Sequence, residues 1–276
     1  MASLISASAI ERIRAEGYLK IRLSESASAA VIAAIESAHV FFRLPHQEKL
    51  MNCLPDECGF MPMGIEYSAS PAVPDAMETF RASIRTEEAA QKLKSLAARR
   101  LHRAAMAAAP HLEAIAEEFA VQLASALNGD PSNVRGAFHR WSEVQLNHAL
   151  PHGSAEFINE AHEDGTFVTI ACATDPGLEI QNAAGEFIPV AVAPPDIIVM
   201  PAEIATLMSG GHVLPVYHRV RRNAGFRERL TLLFNGDIDP AACVPWVRNE
   251  FNAGIDVGSR VLTNAGRFGI TPFRLE

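Results

Sequence analysis

The chain is poor in cysteine. Its 276 residues hold four: Cys53, Cys58, Cys172 and Cys243. Four scattered thiols do not build a disulfide scaffold, and the close pair Cys53/Cys58 has no second pair to complete a zinc site. Reduced thiols in a cytoplasmic protein are the expectation. No apolar run reaches the roughly 18 residues needed to span a bilayer. The opening residues MASLISASAI lack a basic stretch and run at once into Glu11 and Arg12, so a signal peptide is not expected. Positive charge is in deficit, with 24 Lys and Arg against 32 Asp and Glu, a net charge of −8. That balance gives no general pull towards phosphate backbones or anionic lipids and argues against nucleic acid or a membrane as partner.

What is present is ordinary globular material: 49% apolar and 20% charged residues, enough to bury a real core. At roughly 150 residues per domain, the length suits one large domain or two small ones. Residues 6–16 form a short amphipathic stretch ending at Gly17, and residues 18–23 alternate as a strand does. Ser24 or Ser26 can cap a helix that ends near 41–45, and 46–51 adds one more turn. Residues 52–84 read as loop with short strands. Residues 87–127 read as helix again, with Pro110 expected to break it in two. After Asn128-Gly129-Asp130-Pro131 the character changes. Short apolar runs at 143–147, 166–173, 178–181, 187–192, 197–200, 213–220 and 229–235 alternate with turn residues, the pattern of a β-sandwich or barrel. Three regions follow: a helix-rich 1–129, a β core at 130–240, and a segment at 241–276 without clear period that packs on the core. No repeat, heptad or exposed apolar seam stands out, so a monomer is the default.

Polar residues interrupt the strand pattern at three informative places. His162 and Asp164 are spaced i, i+2, which places them on one face in extended chain. His218 lies inside the later apolar run 213–220. Two imidazoles and one carboxylate on a shared β face make the facial triad that suits non-haem Fe(II). In a chain with ten histidines, a His-x-Asp pair is weak alone, and capping or turn hydrogen bonding is the alternative. His46/Glu48 and His111/Glu113 fall in helical stretches, where i and i+2 do not share a face, and read as surface residues. Arg229 starts an apolar strand with Thr231 two residues on. A guanidinium with a neighbouring hydroxyl makes a carboxylate clamp; a salt bridge to a distant acid is the other reading of the same arginine.

From about Asn147 to Asn235 the chain resembles the isopenicillin N synthase-like Fe(II)/2-oxoglutarate-dependent oxygenases. The resemblance runs in order through His162-Glu163-Asp164, Thr169, Gly177-Leu178-Glu179-Ile180 and Gly185 to Val190. It continues through Pro195-Asp196-Ile197-Ile198-Val199 and Leu207-Met208-Ser209-Gly210-Gly211 and closes on Tyr217-His218-Arg219-Val220 and Arg229-Leu230-Thr231. Weaker matches precede it at Gly17-Tyr18, Phe41 to Pro45 with Glu48-Lys49, Gly59-Phe60, Glu66-Tyr67, and Asp75 with Glu78 and Phe80. It implies an α+β, mainly β fold: a distorted double-stranded β-helix (jelly roll) core with N-terminal helices packed on it. It implies Fe(II) on His162, Asp164 and His218, and 2-oxoglutarate as co-substrate, held by Arg229, Thr231 and Asn147. The implied activity is hydroxylation, desaturation or related C–H oxidation of a small molecule by O2, with release of succinate and CO2. An amino-acid-like compound or a secondary metabolite is the substrate guess. The family carries a Tyr where this chain has Ala149, with His148 or His152 as possible substitutes. Retention of Asp164 disfavours halogenation. The pocket mouth is expected to draw on segment 59–67, with Phe60, Met61, Met63 and Tyr67 as candidate substrate contacts, and on the tail after Pro240. Two rivals remain at this level: an Fe(II) oxidase of the same fold that needs no 2-oxoglutarate, and a non-catalytic jelly-roll binding module.

Overall fold

A computed structural model describes residues 5–55, 58–150, 153, 155–223, 228–264 and 269–270. Helix α1 (Ala7–Glu16) buries Ile10 and Ile13 and stops at Gly17, whose φ of 84° lets its N–H close back on the Ile13 carbonyl. Strand β1 (Leu19–Arg22) follows. In α2 (Glu25–Phe42), Ser24 is the cap, accepting from the Ala27 N–H at 3.3 Å. Its buried residues Val31, Ala34, Ile35, Ala38, Phe41 and Phe42 recur at helical spacing. Each of the large ones contributes about 1.5–3 kcal/mol by burial. After α3 (His46–Leu50) come β2 (Gly59–Met61), β3 (Glu66–Tyr67), β4 (Glu78–Ala82) and α4 (Glu87–Ala90).

Helix α5 (Leu96–Ala126) corrects an expectation: it passes through Pro110 unbroken for 31 residues. The proline removes one N–H and strains one turn. The flanking turns are held by a buried face of Ala98, Leu101, Ala105, Ala108, Leu112, Ile115 and Phe119, whose small residues let α2 lie close. Tertiary burial outweighs the local cost of roughly 3 kcal/mol.

The strands that follow are β5 (Glu143–Ala149), β6 (Phe157–His162), β7 (Val168–Ala173), β8 (Leu178–Gln181), β9 (Phe187–Pro189) and β10 (Asp196–Pro201). Then come α6 (Glu203–Met208), β11 (His218–Arg221), β12 (Arg229–Gly236), α7 (Val257–Asn264) and β13 (Gly269–Ile270). They form a seven-stranded sheet in the order β1-β10-β7-β12-β5-β4-β2 and a four-stranded sheet in the order β6-β11-β8-β9; β13 pairs with β3. All pairings are antiparallel. This is the expected jelly-roll core with helices packed on it. Alternation divides the large sheet. Val144 and Leu146 of β5 and Leu230, Leu232 and Phe234 of β12 belong to the apolar core that the helices complete. Gln145 and Asn147, and Arg229, Thr231, Leu233 and Asn235, face a cavity shared with the small sheet. One apolar cluster runs from Ile5 to Val261.

Three elements depart from the pattern reading. The run 213–220 is strand only from His218, and 187–192 only to Pro189. Strand β6 was hidden because FINEAH carries Asn159, Glu160 and His162 and shows no clean two-residue alternation.

Candidate active site

The ladder between β6 and β11 sets His162 directly opposite His218. Their rings lie 4.4 Å apart between centroids. Asp164, two residues beyond His162, brings Oδ1 to 3.5 Å from His162 Nε2 and Oδ2 to 3.9 Å from His218 Nε2. One ligand atom from each of the three lies within 4.8 Å of the others.

Neighbouring groups orient each donor. His162 Nδ1 donates to the Glu160 carbonyl at 2.7 Å and His218 Nδ1 to the Val216 carbonyl at 2.9 Å. Both bonds make Nδ1 the donor, so Nε2 is the nitrogen each ring turns to the shared point. Asp164 Oδ2 accepts from the Thr169 hydroxyl at 2.5 Å. Burial works against the Asp164 carboxylate, but His218 and His162 together hold it well below the usual carboxylate range. Burial also opposes charge on His162, yet its bond to Asp164 raises it overall, whereas burial pulls His218 down. Two imidazoles and a carboxylate on one side, with a cavity on the other, are the donor set and open face that Fe(II) takes. The residues fit such an ion.

The cavity continues along β12 to Arg229, through walls that include Leu178, Val192, Met200 and Val220. Arg229 is 6% exposed. Its Nε donates to the Asp175 carbonyl at 3.1 Å, and an Nη donates to the Thr231 hydroxyl. Among the described residues no carboxylate pairs with it, so the salt-bridge reading of this arginine finds no partner here. Burial pushes the guanidinium down to about 10 although the charge of Asp175 opposes it, as expected of a desolvated cation with no carboxylate in contact. Gly177 clears its flank: a Cβ there would lie 2.8 Å from the Arg221 carbonyl oxygen and 3.4 Å from Arg229 Nε. Asn147, register partner of Thr231, lines the same chamber. Ala149 is the partner of Arg229, and among the described residues no tyrosine lines this inner chamber. His148 does not replace one. It points to the helix side, where Nδ1 bonds Glu78 Oε1 at 2.8 Å and the ring stacks on Phe42. His152 lies outside the described residues.

Beyond the histidines the chamber opens into an outer cavity of about 360 Å³. Of the four expected contacts, Tyr67 lines it. Phe60 is 1% exposed and packs edge-on against Phe41 in the core. Met61 is buried beside it on β2, and Met63 is exposed. Phe60, Met61 and Met63 are not among the residues that line it: β2 is the outermost strand of the large sheet, its Phe60 ring joins the helix-side core, and Met63 lies beyond the strand. The tail contributes Val261 and Leu262 of α7, anchored by Arg260 to Glu203 at 2.6 Å.

Sequence reasoning missed a polar layer. Gln145, Asn159 and Asn235 line the cavity beside Asn147, with Glu66, Asp75, Arg81, Glu143 and Asp237 outside them. The signal was legible: Glu143, Gln145 and Asn147 are polar at every second position of one strand. Burial pushes Asp75 up to about 6 and Asp237 up to about 7.

The family model describing the 2OG-Fe(II) oxygenase superfamily matches residues 141–235. That span holds all three candidate ligands, Arg229 and Thr231. No curated protein matches the chain in sequence. Solved structures share the fold. A full-length Neurospora crassa protein in complex with alpha-KG is similar at 15% identity and a TM-score of 0.74, over 94% of this chain and 90% of that one. A putative 2OG-Fe(II) oxygenase family protein from Caulobacter crescentus is similar at 16% and 0.75, over 95% and 93%. The rice dioxygenase for auxin oxidation is similar at 22% and 0.63, over 83% and 77%.

Proposed function

We propose that this protein is an Fe(II)- and 2-oxoglutarate-dependent oxygenase that oxidises a C–H bond of a small molecule. One observation carries the reading: a facial His162/Asp164/His218 set and a buried Arg229, which no carboxylate contacts among the described residues, open into the same chamber. An iron site alone needs no such arginine. A buried guanidinium next to a hydroxyl calls for a carboxylate that arrives from outside the chain.

When bound, the iron, 2-oxoglutarate and O2 supply the oxidising equivalent, with succinate and CO2 as the co-products. The chain's part is placement. His162, Asp164 and His218 hold the metal from one side. Arg229 and Thr231 take the distal carboxylate of 2-oxoglutarate, and the Asn147 side-chain NH2 serves the near one. Leu178, Val192, Met200 and Val220 keep the chamber dry, which strengthens each of these contacts. The outer cavity receives the substrate. The relative named for auxin oxidation, and the Neurospora crassa protein crystallised with alpha-KG and thymine, are small-molecule cases that support a substrate of that size.

The test is stoichiometric. Purified protein with Fe(II) and a reductant in air should convert 2-oxoglutarate to succinate slowly without substrate, and Arg229→Gln should need far more 2-oxoglutarate for the same rate. Iron-loaded protein that forms no succinate at any 2-oxoglutarate concentration would contradict the reading.

A further inference from the structure

Two carboxylates dictate how the cavity amides point. Glu66 is ion-paired to Arg81 at 3.1 Å, and its Oε2 accepts from Gln145 Nε2 at 3.2 Å. A carboxylate so paired only accepts, so Gln145 must turn its NH2 towards Glu66. The same NH2 donates to Asn147 Oδ1 at 2.9 Å, and Gln145 Oε1 accepts from Asn235 Nδ2 at 2.9 Å. On the opposite wall, Asp75 Oδ2 accepts from Asn159 Nδ2 at 3.0 Å. Each amide is thereby oriented by its bonds, not by a choice between indistinguishable atoms. Among the cavity amides of the described residues, three groups are left for a ligand: the NH2 of Asn147 and the carbonyl oxygens of Asn159 and Asn235. All three residues line both the inner chamber and the outer cavity, next to His162 and Asp164.

Charge points the same way. Glu66, Asp75, Glu143 and Asp237 line the outer cavity against two cations. Arg81 is held by Glu66 and Glu143. Arg85 is exposed at the mouth, over the Trp141 ring at 5.6 Å. With the Asn147 NH2 serving 2-oxoglutarate, the uncommitted amide groups on the substrate side are acceptors. Acceptors call for a hydrogen-bond donor, and the N–H of an amide or lactam, or of a protonated amine, donates with no lone pair on its nitrogen to turn towards them.

We propose that the substrate is an N–H-donating small molecule without an anionic group, a lactam, amide or amine, held by the carbonyl oxygens of Asn159 and Asn235. The proposal rests on the oxygenase reading, and the test separates the two. Protein loaded anaerobically with Fe(II) and 2-oxoglutarate is titrated calorimetrically with four ring probes: 2-piperidone, piperidine, N-methyl-2-piperidone and cyclohexanecarboxylate. The expected result is that 2-piperidone or piperidine binds at least about tenfold tighter than the N-methyl and carboxylate probes, one hydrogen bond's worth. Which of the two binds decides between a neutral and a cationic nitrogen. Asn235→Leu and, independently, Asn159→Leu should each erase that preference, while Arg85→Gln should not. Equal binding of the N-methyl probe, no binding of any probe, or carboxylate binding that disappears in Arg85→Gln would each overturn the proposal. In those cases an intact visible band of the Fe(II)–2-oxoglutarate complex leaves the oxygenase reading standing; absence of the band itself strikes that reading instead.

Discussion

Two buried polar clusters lie back to back across β5, and they are built on opposite principles. On the helix side, Lys49 Nζ sits 2.6 Å from both oxygens of Glu78, and His148 Nδ1 bonds the same carboxylate at 2.8 Å. Lys49 lies over the Phe60 ring and His148 stacks on Phe42. These charges are committed to one another. On the cavity side, no carboxylate among the described residues contacts Arg229, two imidazoles turn Nε2 to a shared point, and three asparagines keep unspent groups. The sequence neighbours Asn147 and His148 fall on different sides by strand alternation alone. Burial and polarity therefore do not distinguish scaffold from site; in one cluster lysine and carboxylate meet, and in the other a buried guanidinium meets no carboxylate among the described residues.

If that comparison holds, substitutions on the two sides should separate ligand binding from stability. The largest effect belongs to His218→Ala, which removes one of the three ligands and should abolish measurable Fe(II) binding with little change in melting temperature. Metal titration followed by thermal unfolding checks both halves.

Glu78→Gln should do the reverse. Breaking a buried pair while leaving Lys49 behind costs about 3–5 kcal/mol, with affinity for Fe(II) and 2-oxoglutarate kept within about threefold, since no partner of Glu78 touches the chamber. The same residue sets a pH signature. Burial alone would raise its carboxyl, but His148 and Lys49 hold it below its ordinary value of 4.5. Its contribution is full above that value and is lost as pH falls through the lower folded one. Denaturant unfolding as pH falls below 4.5 should therefore show a steeper stability loss in the native chain than in Glu78→Gln.

Arg229→Gln comes next. It should raise the 2-oxoglutarate requirement by about 30- to 1000-fold, the cost of about 2–4 kcal/mol for removing one partner of a buried charge pair, and leave iron affinity unchanged. The smallest effect is Thr169→Val, which frees Asp164 Oδ2 and should weaken iron about tenfold through an unchanged ligand set.

Much of this arrangement was legible before any coordinates. His162, Asp164, His218, Arg229 and Thr231 were readable because extended chain places i and i+2 on one face, and polar residues inside apolar runs are costly without a task. Other features were not. FINEAH hides a strand because its polar residues serve the site. Pro110 reads as a break because the sequence does not display the buried face that overrides it. GFM at 59–61 is buried at every position, so no alternation tells which side chain faces the cavity, and Phe60 goes to the core. The amide layer went unread because an Asn or Gln on a strand acquires meaning only when its partners, here Glu66 and Asp75, are in place.

The central claim is that the unpaired Arg229 and the facial triad together await one small dicarboxylate at a metal. The most direct measurement is anaerobic and spectroscopic: Fe(II), then 2-oxoglutarate, added to metal-free protein. The account predicts a weak visible charge-transfer band that needs both additions, and that fails in Arg229→Gln at 2-oxoglutarate concentrations saturating the native chain. Iron bound by the triad with no band at any 2-oxoglutarate concentration would contradict it.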